Sequence, residues 1–171
     1  MDPETSSGLR CFMNSKFGTV HWAALLLPAA LLVGAYGSQY IGGLFPCEMC
    51  WWQRYPHFAA VGIALAAFIV GNHGYRSTLV ALAALAIATS GAIAGYHAGV
   101  EYGWWEGLTK CTSSVTGTGD DLLKSIMNAP LIRCDVAPWT LFGISLAGYN
   151  FLLSVGGAVA ILYGIWKTRT P

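Results

Sequence analysis

Four cysteines and one arginine carry the chemistry legible in this chain. Cys47 and Cys50 are separated by two residues, a spacing shared by redox dithiols and zinc ligands. Arg54 follows Cys50 by one helical turn, so a helix beginning at the motif places both on one face. The positive N-terminal end of that helix lowers a cysteine pKa from its usual value of about 8.5. The guanidinium then stabilises a Cys50 thiolate, or a negative charge developing on a bound acceptor. An interfacial arginine that only snorkels to lipid headgroups is the plainer alternative. Cys111 and Cys134 form a second, more widely spaced pair. A folded loop can bring them within bonding distance, either as a static staple worth about 3 kcal/mol or as a second working dithiol. The fifth cysteine, Cys11, makes the number odd, so at least one lacks an intramolecular disulfide partner.

Other uses of these cysteines fit less well. Structural zinc sites usually supply two closely spaced pairs, and only Cys47 and Cys50 are close. Attachment of a c-type haem needs histidine directly after the second cysteine, where this chain has Trp51. No metal is therefore expected. Electrons taken from thiols must still leave, and the chain has neither a G-x-G-x-x-G following a strand nor a P-loop. A lipid-soluble acceptor is the economical inference, with a quinone (ubiquinone or menaquinone) the obvious candidate. His97, beside Tyr96 at one end of an apolar segment, is a candidate to line its site.

The elements that must position these residues are membrane helices. The chain has 171 residues, 55% hydrophobic and 10% charged, against roughly 25% charged in ordinary soluble domains. Its mean hydropathy is +0.53, and its net charge of +1 gives no reason to expect nucleic acid. A span needs about 20 apolar residues. Four are expected: Thr19 to Ser38, Trp51 to Val70, Ser77 to Ala98, and one within Trp139 to Trp166. The fold class is thus an all-α membrane protein, a four-transmembrane-helix bundle. A short loop (39–50) carries the C-x-x-C, a tight turn from Gly71 to Arg76 follows the second span, and a long loop (99–138) carries the second pair. Within the long loop, Thr118 to Asp121 resembles a capping box opening a short amphipathic helix that ends before Pro130. Gly91, Gly95 and Gly99 share a helix face, as do Gly156, Ala160 and Gly164, and both runs suggest close helix contacts. Glu101, Trp104, Trp105 and Glu106 mark the membrane surface.

An even number of spans puts both termini on one side. Arg10, Lys16, Arg76, Lys167 and Arg169 share that side against Arg54, Lys110, Lys124 and Arg133 on the other, a slight excess that favours a cytoplasmic side and agrees with the stronger argument from the cysteines. Four cysteines then face an oxidising compartment and only Cys11 faces the cytosol. The organisation expected is a cytoplasmic segment (1–18), a single membrane domain (19–166) and a cytoplasmic tail (167–171). Met1 to Phe12 is polar and fits a leader ahead of a start at Met13; a cleaved signal peptide across the first span is a weaker reading.

The motif Pro46-Cys47-x-x-Cys50-x-x-x-Arg54, after one span and before two more, resembles the DsbB family of disulfide-bond-formation proteins. Cys134-Asp135-x-x-x-Trp139-x-x-x-Gly143-Ile144-Ser145 with Asn150, and Tyr96-His97-x-Gly99-Val100-Glu101 leading toward Cys111, are in the same style. The likeness covers residues 19–166. It implies a bacterial inner-membrane thiol:quinone oxidoreductase that reoxidises a periplasmic, DsbA-like thioredoxin-fold protein. It further implies that Cys47 and Cys50 are the quinone-proximal pair, with Cys50 the thiolate that engages the quinone and Arg54 beside it. Cys111 would form the mixed disulfide with the partner, and Cys134 would exchange with Cys47. A DsbA-like partner is strongly oxidising, near about −120 mV, so only a more oxidising acceptor can recharge it. Gln53 departs from the pattern, standing where an acidic residue often precedes the arginine. Two alternatives remain: a vitamin K epoxide reductase-like enzyme, in which the membrane C-x-x-C follows the loop pair, and a non-enzymatic four-helix protein with structural disulfides or a metal site.

Overall fold

The computed structural model describes the backbone of residues 3–70, 72–108 and 133–169, and the side chains within 18–70, 74–108 and 133–168 together with Asn72. Cys111, Lys110, Lys124 and the expected loop helix lie outside the described residues.

Four helices dominate: α1 (Pro3–Tyr40), α2 (Glu48–Ile69), α3 (His73–Glu101) and α4 (Leu146–Arg169). α3 packs between α2 and α4, and α1 closes against α2 and α4. Among the described residues, three segments are long and apolar enough to cross a membrane, Gly18–Tyr40, Gly74–Glu101 and Leu146–Thr168. α2 is 22 residues long but is not among them. Glu48, Gln53, Arg54 and His57 crowd its first turns and dilute the apolar run expected from Trp51 to Val70.

The interior is built from small residues. Ala24, Ala60, Ala64, Ala67, Ala83, Ala84 and Ala158 are buried together with Val80 and Ile87. Large apolar side chains such as Leu26, Phe68, Leu85, Leu152 and Leu162 point outward. In a lipid surround, close backbone approach rather than water exclusion holds helices together, and small interfacial residues permit it.

The glycines follow the same logic, with one correction. A Cβ at Gly91 would collide with Ser154 and Val155, and one at Gly95 with Phe151, so both sit at the α3–α4 contact. Gly99 instead accommodates the Trp105 ring. On α4, Gly157 and Gly164 meet Leu27 and Val20 of α1, whereas Gly156 faces open space. The expected Gly156–Ala160–Gly164 face is rotated by one residue, because the α1 side chains fill the groove beside Gly157. Gly91→Leu is expected to cost about 1–3 kcal/mol by overpacking, read as a lower thermal midpoint in detergent. Gly156→Leu should leave that midpoint unchanged.

The ends of the helices also differ from expectation for local reasons. Most of the expected Gly71–Arg76 turn is the first turn of α3, since Asn72 Oδ1 caps it by accepting from Gly74 N at 2.8 Å. Ahead of α4, Thr140–Leu141 (β1) pairs antiparallel with Ile144–Ser145 (β2). Phe142 and Gly143, both at positive φ, form the two-residue turn such a hairpin needs. The described residues are therefore helical in their regular structure apart from this ladder. Ser145 ends the ladder and caps α4, its Oγ accepting from Gly148 N at 3.1 Å.

At the end of the bundle away from the cysteines, His21 is fully buried. Its Nε2–H donates to Ala64 O at 3.0 Å. Arg76 Nη2 donates to its Nδ1 at 3.1 Å, and the ring stacks on Phe68. The arrangement ties α1, α2 and α3 together and leaves the opposite end to the thiols.

Candidate functional site

Cys47 is the N-cap of α2, in extended conformation, and its Sγ accepts from Cys50 N at 3.3 Å. A fixed capping geometry thus turns the first cysteine toward the second, and the two sulfurs lie 2.9 Å apart. The contact divides the titration of the pair. The sulfur–sulfur hydrogen bond and burial push the Cys47 thiol up. The same hydrogen bond pulls Cys50 down against the effect of burial. The two sulfurs therefore titrate unequally, and Cys50 is the more acidic of the pair.

His97 approaches from α3, with Nε2 3.6 Å from Cys47 Sγ. Its protonation is set by Gln53. The Gln53 amide nitrogen donates to Met49 O at 3.2 Å, which can only accept, and therefore also donates to His97 Nδ1 at 2.8 Å. The remaining ring proton is on Nε2, facing Cys47 Sγ and the Glu101 carboxylate at 3.8 Å. Cys47, Cys50 and His97 hold their ligand atoms within 4.8 Å of one another, a spacing a soft cation also accepts. The proton that Gln53 keeps on Nε2 favours a donor role for this histidine instead.

Behind this layer a polar chain crosses the bundle interior. Asn150 of α4 donates to Gln53 Oε1 at 2.8 Å, and its Oδ1 accepts from Ser154 at 2.8 Å and His57 Nε2 at 3.1 Å. Ser90 donates to Gln53 O at 2.7 Å and accepts from His57 at 2.9 Å. Such groups inside apolar helices are costly unless paired, and here each locks the next. The chain fixes Gln53, and through it His97.

Arg54 is buried on the α1 side of α2. Nη1 donates to Gln39 Oε1 at 2.7 Å and Nη2 to Ala35 O at 3.2 Å. Its guanidinium carbon lies 4.7 Å from the Tyr36 ring centre and 4.8 Å from that of Trp51. Two aromatic faces and two anchors hold the cation against snorkelling.

A cavity of about 250 Å³ opens between α1, α2 and α4. Cys50, Arg54, His97 and Glu101 supply its polar end, and Leu31 and Ala35 are among its apolar walls. Cys50 lines this space and Cys47 does not.

From the far end of the long loop, Cys134 is brought to the same place. It is buried in an apolar cluster with Cys47, Met49 and Val100, against which Cys50 and Tyr96 pack. His97 bonds its backbone. Asp135 is turned away: Arg133 Nε donates to its Oδ1 at 2.9 Å, which holds this exposed carboxyl below the usual range.

Of the residues singled out by sequence, the fold assembles Cys47, Cys50, Arg54, His97 and Cys134, while Cys111 lies outside the described residues. Glu101 is a correction. Its side chain is 2% exposed and faces the cavity, because the i, i+4 spacing puts it on the His97 face. Trp104, Trp105 and Glu106 are exposed. Gln53, His57, Ser90, Asn150 and Ser154 were not singled out as a network. Their signal was polar residues at helical spacing within apolar segments.

A helical membrane protein that holds a dithiol at the mouth of an apolar cavity belongs among the thiol redox proteins of the bilayer. Residues 18–164 match the family of disulfide bond formation protein DsbB, and the chain belongs to that family. Disulfide bond formation protein B of Polaromonas sp. (strain JS666) is 31% identical over 157 residues, covering 85% of this chain and 87% of the relative. The protein of the same name from Azoarcus sp. (strain BH72) is 31% identical over 150 residues, with 81% and 84% covered. An uncharacterised protein of Rickettsia prowazekii, RP370, is 26% identical over 146 residues, with 83% and 84% covered. No solved structure matches the chain with significance. The chain is thus a membrane oxidoreductase of disulfide formation.

Proposed function

We propose that the protein takes electrons from a periplasmic, DsbA-like thioredoxin-fold dithiol and passes them to a membrane quinone. α2 crosses the bilayer with the other three helices, both termini are cytoplasmic, and the cysteine end faces the periplasm of a bacterial inner membrane. The observation that carries the reading is the position of Cys50, the sulfur of the C-x-x-C pair that lines the cavity, and its lowered pKa suits it to act as the thiolate. Cys134, packed beside Cys47, delivers the partner's electrons by thiol–disulfide exchange, and Cys111 meets the partner.

The residues fit a quinone headgroup. An apolar slot of this volume accepts a flat ring, and Arg54 supplies a fixed cation at its polar end. A bound quinone supplies an acceptor for two electrons and two protons. The chain's own groups do the rest: the α2 cap holds the sulfurs together, and Gln53 fixes the His97 ring with Nε2 3.6 Å from Cys47 Sγ. The test is stoichiometric. Purified protein with a short-chain quinone and a reduced thioredoxin-fold protein should consume one quinone for each dithiol oxidised, and no consumption would sink the reading.

Arg54→Met is expected to raise the KM for quinone about 10- to 100-fold, the equivalent of one charge-assisted hydrogen bond of about 1.5–3 kcal/mol. Arg54→Lys should recover only part of this, since one ammonium cannot hold Gln39 and Ala35 and still face the cavity. An unchanged KM in the methionine variant would remove Arg54 from the quinone site.

A further inference from the structure

Glu101 ends α3 as an anomaly. Its side chain is 2% exposed, and Oε2 has no hydrogen-bond partner among the described residues. A buried carboxylate with an orphaned oxygen is expensive, and its surroundings do not neutralise it. Ser145 bonds the carboxylate, His97 Nε2 stands 3.8 Å from Oε1, and Cys50 lies within its electrostatic reach. Among the described residues, the other charged or thiol groups packed into this cluster are Cys47 and Arg54 from α2 and Cys134 from the loop. α1 lines the cavity with uncharged residues, and α4 contributes Tyr149 and Asn150. A Cys50 thiolate and a Glu101 carboxylate would thus place two negative charges on the cavity wall, with Arg54 its one Lys or Arg among the described residues. Like charges that line one buried cavity do not both ionise readily.

We propose that Glu101 is the proton carrier of the Cys47–Cys50 pair, with Oε2 as the atom that receives and returns the proton of Cys50. The inference rests on the reading of Cys50 as the sulfur that faces the acceptor. When the disulfide is reduced, the Cys50 proton goes to Glu101 Oε2, leaving a thiolate beside a neutral carboxylic acid and Cys47 as the thiol. When the pair is reoxidised, Cys47 Sγ bonds to Cys50 Sγ and its S–H bond breaks. The electron pair passes to the quinone, and the protons from Cys47 and Glu101 complete the two O–H bonds of the hydroquinone. Glu101 begins and ends the cycle as a carboxylate. The orphaned oxygen is the place where the proton rests.

The experiment counts protons in the quinone-stripped, full-length protein, carrying Cys111→Ser and Cys134→Ser so that one disulfide is reduced. Reduction at an electrode through a viologen mediator, in weakly buffered detergent solution near neutral pH, should take up close to two protons per disulfide. With Glu101→Gln the uptake should fall to close to one, because the thiolate remains and its proton has no resting place. Equal counts in the two proteins would overturn the proposal. Infrared difference spectra supply a reading that does not depend on the variant folding: reduction should bring up a protonated-carboxyl band, and its absence with Glu101 intact would also overturn the proposal. Neither measurement uses quinone or the partner protein. A failure here is therefore distinct from a failure of quinone turnover.

Discussion

Cys50→Ala should abolish quinone reduction, a loss on the order of 10⁴-fold or more in the catalysed rate. The size follows from how the two thiols act as a unit, since removing one member of such a set costs nearly as much as removing all. Cys47 alone cannot substitute. It is 5% exposed, does not line the cavity and stands 3.6 Å from His97 Nε2. Without Cys50 it also has no sulfur close by on α2 with which to bond. Alanine suits a helix first turn, so the bundle should remain intact, and an unchanged thermal midpoint checks this. Cys11→Ser, at a position with no assigned role, is the matched control and should retain full turnover. Undiminished quinone reduction in Cys50→Ala would show that electrons leave by another route.

The sequence revealed this end of the molecule unevenly, for physical reasons. Cys47, Cys50 and Arg54 were readable because they are close in sequence and their geometry follows from a single helix turn. α1 and α3 were readable because uninterrupted apolar runs announce them. α2 was harder, since the polar residues that build the site also erode its hydropathy. The hairpin before α4 escaped notice because its ladder is only two residues long on each side and depends on positive φ at Phe142 and Gly143.

Glu101 was misread for a different reason. A glutamate near Trp104 and Trp105 at the end of a span looks interfacial by composition. Its direction depends on the helix phase that also sets His97, and on Ser145 arriving from forty-four positions downstream, outside any local window. The Gln53–Asn150–His57 chain shares this property. Each member is unremarkable alone, and only the packing of α2, α3 and α4 turns them into the network that fixes the proton on His97.

The second large effect is expected in the long loop. Cys111→Ser should block oxidation of the thioredoxin-fold partner almost completely while leaving Cys47 and Cys50 oxidisable by quinone. The position of Cys134 motivates the division. With 7% of its surface exposed and Cys47 and Met49 around it, Cys134 cannot admit the face of a folded protein, and disulfide exchange requires in-line access to the sulfur attacked. It is suited to exchange with Cys47, which it neighbours. The sulfur expected to meet a macromolecule is then the other member of the loop pair, Cys111, as the family resemblance implies. Cys134→Ser should accordingly behave differently from Cys111→Ser: a mixed disulfide between Cys111 and the partner should accumulate, visible by non-reducing electrophoresis after acid trapping. In Cys111→Ser no such adduct should form, and thiol labelling should find Cys47 and Cys50 oxidised when quinone is supplied. Partner oxidation at the normal rate in Cys111→Ser would mean that the thioredoxin-fold protein reaches the membrane pair directly. The burial of Cys47 behind His97 and Met49 argues against that route.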